Sequence, residues 1–162
     1  MDRKIGTALL TCVVLVASSF AEEVKIEAFV DDGFEIYING QKLAIKPGKS
    51  TKADLNDEDV IGVKAWDIQG GTKGGFVMRI TREDGTKLDT NTKWRYSSEE
   101  TKGWDKKDFD DKKWKKVKSV QLDWLVKAVK EHFRKGRRPR VIWGRGGTVY
   151  FRRQIKFSEF KK

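Results

Sequence analysis

The 162-residue chain carries 35 Lys and Arg against 24 Asp and Glu, a net charge of +11, with six tryptophans, one histidine and one cysteine. Without residues 1–21 it has the size of one ordinary domain, and the lone Cys12 falls inside that leader. Thiol chemistry, disulfides and cysteine-ligated metals are thereby excluded from the domain, whose core must supply its stability alone.

The leader reads as a signal peptide. Arg3 and Lys4 precede an uncharged, mostly apolar run over residues 5–17, and Ser18-Ser19-Phe20-Ala21 places small residues at −3 and −1 of a cut before Glu22. The run is too short to span a bilayer, which takes about 20 residues. No second apolar run of that length follows, so the expectation is a secreted, extracellular protein with no membrane span. Its parts are a signal peptide over residues 1–21 and a single domain over residues 22–162. There is no Asn-x-Ser/Thr sequon, so N-glycosylation is not expected.

From residue 24 to residue 81 short apolar stretches alternate with turn residues. Val24, Ile26, Ala28 and Val30 alternate with Lys25, Glu27 and Phe29, which predicts a half-buried strand. Asp31-Asp32-Gly33 is a turn in which Gly33 is available for positive φ. Phe34, Ile36 and Ile38 alternate with Glu35 and Tyr37 up to Asn39-Gly40, the strongest hairpin signal in the chain, with residues 42–45 as the returning strand and Pro47-Gly48 closing it. Val60–Trp66 reads as a buried strand, the glycine-rich residues 70–75 as a loop, and residues 76–81 as another strand. After Asp84-Gly85 a brief strand covers residues 87–89. Many short strands between Gly, Asn and Asp turns predict an all-β sandwich.

The period changes after Ser119. Leu122, Leu125, Val126, Val129 and Phe133 form one stripe of an amphipathic helix over about residues 119–135, stopped by Gly136 and followed by Pro139. A last strand covers residues 148–157, with Val149, Phe151, Arg153, Ile155 and Phe157 on one face. Arg153 is the odd member, so a bulge or an edge is expected there.

Three segments carry a resemblance. Residues 32–42 (DGFEIYINGQK) are similar to a D-x-x-x-V-Y-V-N-G-K hairpin, and Gly103-Trp104 with residues 108–117 (DFDDKKWKKV) to a D-F-D-D-S-x-W-x-x-V element. Val141-Ile142-Trp143 with residues 149–155 (VYFRRQI) is similar to a W-I-W … Y-F-R strand. Spread over about residues 24–157, these segments resemble galactose-binding-like jelly-roll domains of the kind appended to glycoside hydrolases. In those domains the Y-F-R strand precedes the hairpin, so the motif order here is rearranged. The resemblance implies a jelly-roll β-sandwich, here with one amphipathic helix in the last third.

Each motif also has a structural reading. Asn39-Gly40 suits a type I′ turn. Asp108, Asp110 and Asp111 would accept hydrogen bonds from loop N–H groups while Phe109 and Trp114 anchor the loop. The alternative use of Asp105, Asp108, Asp110 and Asp111 is a structural Ca²⁺, since hard cations take carboxylate oxygens. Lysines interrupt that run and EF-hand spacing is absent, so no cofactor is expected. Catalysis is not expected either: His132 stands alone on the helix, and neither a Gly-x-Ser-x-Gly elbow nor a P-loop is present.

Binding therefore remains, in two forms. A carbohydrate module would stack sugar C–H faces on exposed rings. Of the aromatic residues beside loops, Trp104, Trp143 and Tyr96 are the candidates, because Trp66 ends a buried strand. The second form follows charge. Residues 22–126 have a net charge of −1 and residues 127–162 a net charge of +11. Arg134, Lys135, Arg137, Arg138, Arg140 and Arg145 place six cations in 12 residues, a basic loop over residues 134–145 suited to a polyanion. Extracellular location favours polysaccharide or a mineral surface such as silica or phosphate over nucleic acid. A structural matrix or biomineral-associated protein that only displays this charge is the alternative.

Overall fold

The computed structural model describes residues 21–69, 74–133 and 138–162, the side chain of Trp124 excepted. Two antiparallel sheets face each other. One takes β1 (Glu22–Val30), β4 (Ser50–Leu55), β6 (Phe76–Arg82), β7 (Lys87–Asp89), β10 (Lys118–Ser119) and β11 (Ile142–Trp143). Its order is β10-β11-β6-β1-β4, and β7 shares one side of β6 with β11. The other sheet runs β3 (Gln41–Leu43), β2 (Gly33–Ile38), β5 (Val60–Trp66), β12 (Thr148–Gln154), β8 (Arg95–Ser97) and β9 (Lys115–Lys116), in that order. The expected all-β sandwich is what forms.

Period-2 alternation sets the core. Val24, Ile26, Ala28 and Val30 of β1 meet Phe76, Met78 and Ile80 of β6, and face Ile36, Ile61, Val63, Ala65, Val149 and Phe151 of the second sheet. β6 is buried on both sides, because α1 (Asp123–His132) lies over its outer face. There Val77 packs with Leu125, Val129, Phe133 and Val141 in a second apolar cluster.

The helix begins later than its apolar stripe predicts. Lys118 and Ser119 are held extended by pairing with Trp143 and Ile142, and the Val120 N–H donates to the Val141 carbonyl at 2.9 Å. Sheet pairing overrides the helical period for that first turn. Asn39 and Gly40 have φ of 49° and 86°, the two positive values a type I′ turn demands. Gly33 differs from expectation: its φ is not positive. The position instead admits no Cβ, which would sit 2.3 Å from Cζ2 of Trp66.

Arg153, expected at a bulge or an edge, sits in an unbroken ladder with β5 from Thr148 to Gln154, while pairing with β8 ends at Arg152. Its guanidinium is buried, with Nη1 donating to the Lys93 carbonyl at 3.1 Å and Nη2 to Glu159. Edge strand β4, polar at alternate positions, was not predicted at all; Thr51 and Ala53 are half-buried and Leu55 is buried, while Ser50, Lys52 and Asp54 face solvent.

Candidate functional site

The sequence candidates separate in space. Trp104 lies over Gly62, stacks on Trp114 at 6.4 Å and meets Tyr37 and Tyr150 edge-on; Trp143 lies over Gly74 and donates Nε1–H to the Gly146 carbonyl. They are 5% and 2% exposed. Neither leaves a ring face for a sugar, which corrects their assignment as stacking residues. Both fill places where a facing glycine removes the Cβ. Tyr96, half-buried, likewise rests on Gly144 and packs against the main core.

The aspartate loop is organised by a buried cation. Arg152 of β12 donates from Nε to the Trp104 carbonyl at 2.9 Å, from Nη1 to Asp111 at 3.1 Å and from Nη2 to the carbonyls of Lys106 and Lys107. Asp111 also faces Arg95 at 3.5 Å, and Asp110 accepts the Lys112 N–H. Asp111 is thus committed to arginine. Among the described residues no three Asp, Glu, His or Cys side chains converge to hold a metal ion.

The basic residues divide too. Arg134, Lys135 and Arg137 lie outside the described residues. Arg145 is exposed at the far end of β11, its carbonyl accepting from Ser98 Oγ. Arg138 and Arg140, however, line a cleft of about 420 Å³ together with Arg79, Lys87, Lys93, Lys161 and Lys162. Three segments build it: β7 with residues 90–93, the approach to β11, and the end of the chain.

Hydrogen bonds fix those segments. Thr90, 2% exposed, accepts the Arg140 N–H with its carbonyl at 3.1 Å and donates its hydroxyl to the Arg140 carbonyl at 2.7 Å. Lys87 and Lys161 exchange both backbone bonds, at 2.8 and 2.9 Å. That bridge sets two lysines directly opposite each other, an arrangement that costs stability unless an anion lies between them.

Two acids enter the cleft, and both are engaged. Asp89 accepts a bidentate bond from Arg79 at 2.7 and 3.0 Å, and the Arg79 guanidinium lies 4.6 Å from the Phe133 ring. Glu159 takes Lys93 at 3.1 Å and Arg153. Burial raises its pKa, but the Lys93 hydrogen bond and the Arg153 charge outweigh this and hold it below the usual carboxylate value. Among the described residues, Lys87, Arg138, Arg140 and Lys161 have no acidic partner. Asn91, Thr92 and Ser158 line the same cleft with neutral polar groups.

Sequence reading missed the lysines of this cleft. Lys87 and Lys93 stand singly in the sequence, and the Lys87–Lys161 bridge brings Lys161 and Lys162 to β7. His132, the lone histidine, is exposed, with Nε2 3.2 Å from Glu27. Among the described residues no helix is long and apolar enough to cross a membrane. The sequence matches no protein-family model, no curated protein and no solved structure.

Proposed function

We propose that the protein is a secreted, non-enzymatic binding protein of galactose-binding-like jelly-roll type, whose basic cleft holds an anionic polysaccharide. The observation that carries this reading is the concave grouping of Lys87, Arg138, Arg140 and Lys161 without an acidic partner among the described residues. Arginine forks match the oxygens of sulfate, phosphate or carboxylate groups. Asn91, Thr92 and Ser158 supply partners for sugar hydroxyls, which favours a glycan over a flat mineral surface. Secretion is supported by the leader chemistry, a short basic stretch, an apolar run over residues 5–17 and small residues before Glu22. The jelly-roll assignment is supported by the contact between two of its motifs, in which Arg152 of Y-F-R grips Asp111 of D-F-D-D.

The test is retention on heparin and on dextran sulfate across a salt series, with neutral dextran and silica as comparison matrices. Retention should fall steeply between about 0.1 and 1 M salt, as the Debye length shrinks from about 10 to about 3 Å. Arg138→Ala with Arg140→Ala should weaken heparin affinity about tenfold, since exposed charge contacts contribute on the order of 0.5–1 kcal/mol each. Salt-insensitive retention, or an unaltered double variant, refutes the site. Silica binding without heparin binding would favour the mineral-associated alternative.

A further inference from the structure

The outer face of the second sheet carries side chains that the cleft does not use. Alternation along β5 turns Ile61, Val63 and Ala65 inward and Gly62, Lys64 and Trp66 outward. Trp66 stands in register with Gly33 on β2 and Thr148 on β12. Its indole lies over Gly33, where a Cβ would approach Cζ2 to 2.3 Å and Nε1 to 2.6 Å. One side of the ring therefore rests on the β2 backbone, and the part-exposed remainder turns outward. Among the described residues no second ring stacks on it and no group accepts its Nε1–H.

The next rank is polar and charge-balanced. Lys64 stands between Glu35 and Tyr150 in register. Glu35 accepts from the Tyr37 hydroxyl at 2.7 Å and Lys42 Nζ at 2.5 Å; Glu100 accepts from the Tyr150 hydroxyl at 2.8 Å and Lys64 Nζ at 3.4 Å. The Lys42 hydrogen bond holds Glu35 below the usual carboxylate range, and burial followed by Glu35 pushes the Tyr37 hydroxyl up to about 12. Two ammoniums offset two carboxylates, so the face presents oriented donors and acceptors without a net field. A pyranose has the matching chemistry: an apolar C–H face for the indole, and hydroxyls for carboxylate and ammonium.

We propose that Trp66, with Glu35, Lys64 and Glu100, forms a second binding site that takes a neutral glycan segment, the buried Tyr150 serving only to position Glu100. It is independent of the anionic ligand assigned to the cleft. Its test is calorimetry or affinity electrophoresis of the whole protein against soluble β-glucan, xylan, galactomannan and dextran at 1 M NaCl, where exposed charges are screened beyond about 3 Å. At least one polymer should bind, with affinity unchanged between 0.1 and 1 M salt. Trp66→Ala should weaken that binding at least tenfold. Gly33→Ala should do the same with the indole still present, because the new Cβ must displace the ring. Melting curves of both variants separate loss of the site from loss of the fold. Absence of binding to all four polymers overturns the proposal, as does wild-type affinity in a folded Trp66→Ala protein.

Discussion

Replacing Arg152 by methionine tests the claim that one buried guanidinium holds residues 101–114 against the second sheet. The side chain is 4% exposed and donates to three backbone carbonyls and one carboxylate. Methionine fills most of the volume but leaves Asp111 and the Trp104 carbonyl without their donor. Removing one partner of a buried charge pair costs about 3–5 kcal/mol. The carbonyls of Lys106 and Lys107 belong to exposed residues and turn to water at smaller cost, which places the expectation near about 3 kcal/mol. For a domain of this size that is a melting-temperature loss of roughly 6–12 °C. Differential scanning calorimetry measures it, and near-ultraviolet circular dichroism should show the loss of the Trp104–Trp114 stack. In a double-mutant cycle with Asp111→Ala the two changes should couple by about 0.5–3 kcal/mol. A melting temperature within about 3 °C of wild type, with an unaltered near-ultraviolet spectrum, refutes the reasoning.

Other perturbations have equally definite signs. Burial raises the pKa of Asp31, and the neighbouring Asp32 and Asp67 raise it further, so its ionised form opposes folding at neutral pH. Asp31→Asn should therefore raise the melting temperature at pH 7, and the gain should vanish once Asp31 is protonated in the wild type. Asp59 has the opposite sign: burial raises its pKa, but the Asn56 N–H, the Asn39 amide and Lys107 together bring it below the ordinary value. Its stabilisation is present above the unfolded value of about 4 and lost as pH falls through the folded one, so wild type and Asp59→Asn should converge in stability in strong acid. Gly62→Ala puts a Cβ 2.8 Å from Cζ3 of the buried Trp104, and chemical denaturation should show a loss of about 1–3 kcal/mol. Tolerance at that position would mean that Trp104 is free to move.

The sandwich was legible because alternation survives in the strands that face the core. Val24 through Val30, and Phe34 through Ile38, put their apolar residues on the side the structure buries. What was not legible depended on partners distant in sequence. The expected helix starts late, at Asp123, because β11 offers Lys118 and Ser119 a ladder that no local pattern announces. Gly33 has the composition of a turn glycine, yet its requirement comes from Trp66. Trp66 itself could have been placed: Val63 and Ala65 are core residues, so Lys64 and Trp66 must share the other face. Reading Val60–Trp66 as a uniformly buried run concealed that alternation.

The cleft shows why a segmental charge count locates an excess of charge without locating a surface. Arg138 and Arg140 come from the strongly basic last quarter, as do Lys161 and Lys162, but Arg79, Lys87 and Lys93 come from residues 22–126, whose net charge is −1. That earlier segment is balanced only in sum. Acids such as Glu22, Glu35 and Asp59 pair away from the cleft with bases of the same segment, while the cleft itself is lined by seven cations and two acids. The local balance at the cleft is therefore far more positive than the chain around Lys87 suggests, and it arises from folding rather than from composition. Conversely, Arg145 belongs to the same linear cluster as Arg138 and Arg140, yet the two strand residues of β11 and the turn after them carry it to the other end of the sheet. A ligand that engages both Arg140 and Arg145 must be long enough to follow β11, on the order of 15 Å for five extended residues. A polysaccharide chain meets that length and a single sulfate does not, so short anionic oligosaccharides should lose affinity on Arg140→Ala but remain indifferent to Arg145→Ala, whereas long chains should respond to both. Equal indifference of long chains to Arg145→Ala would confine the site to the cleft.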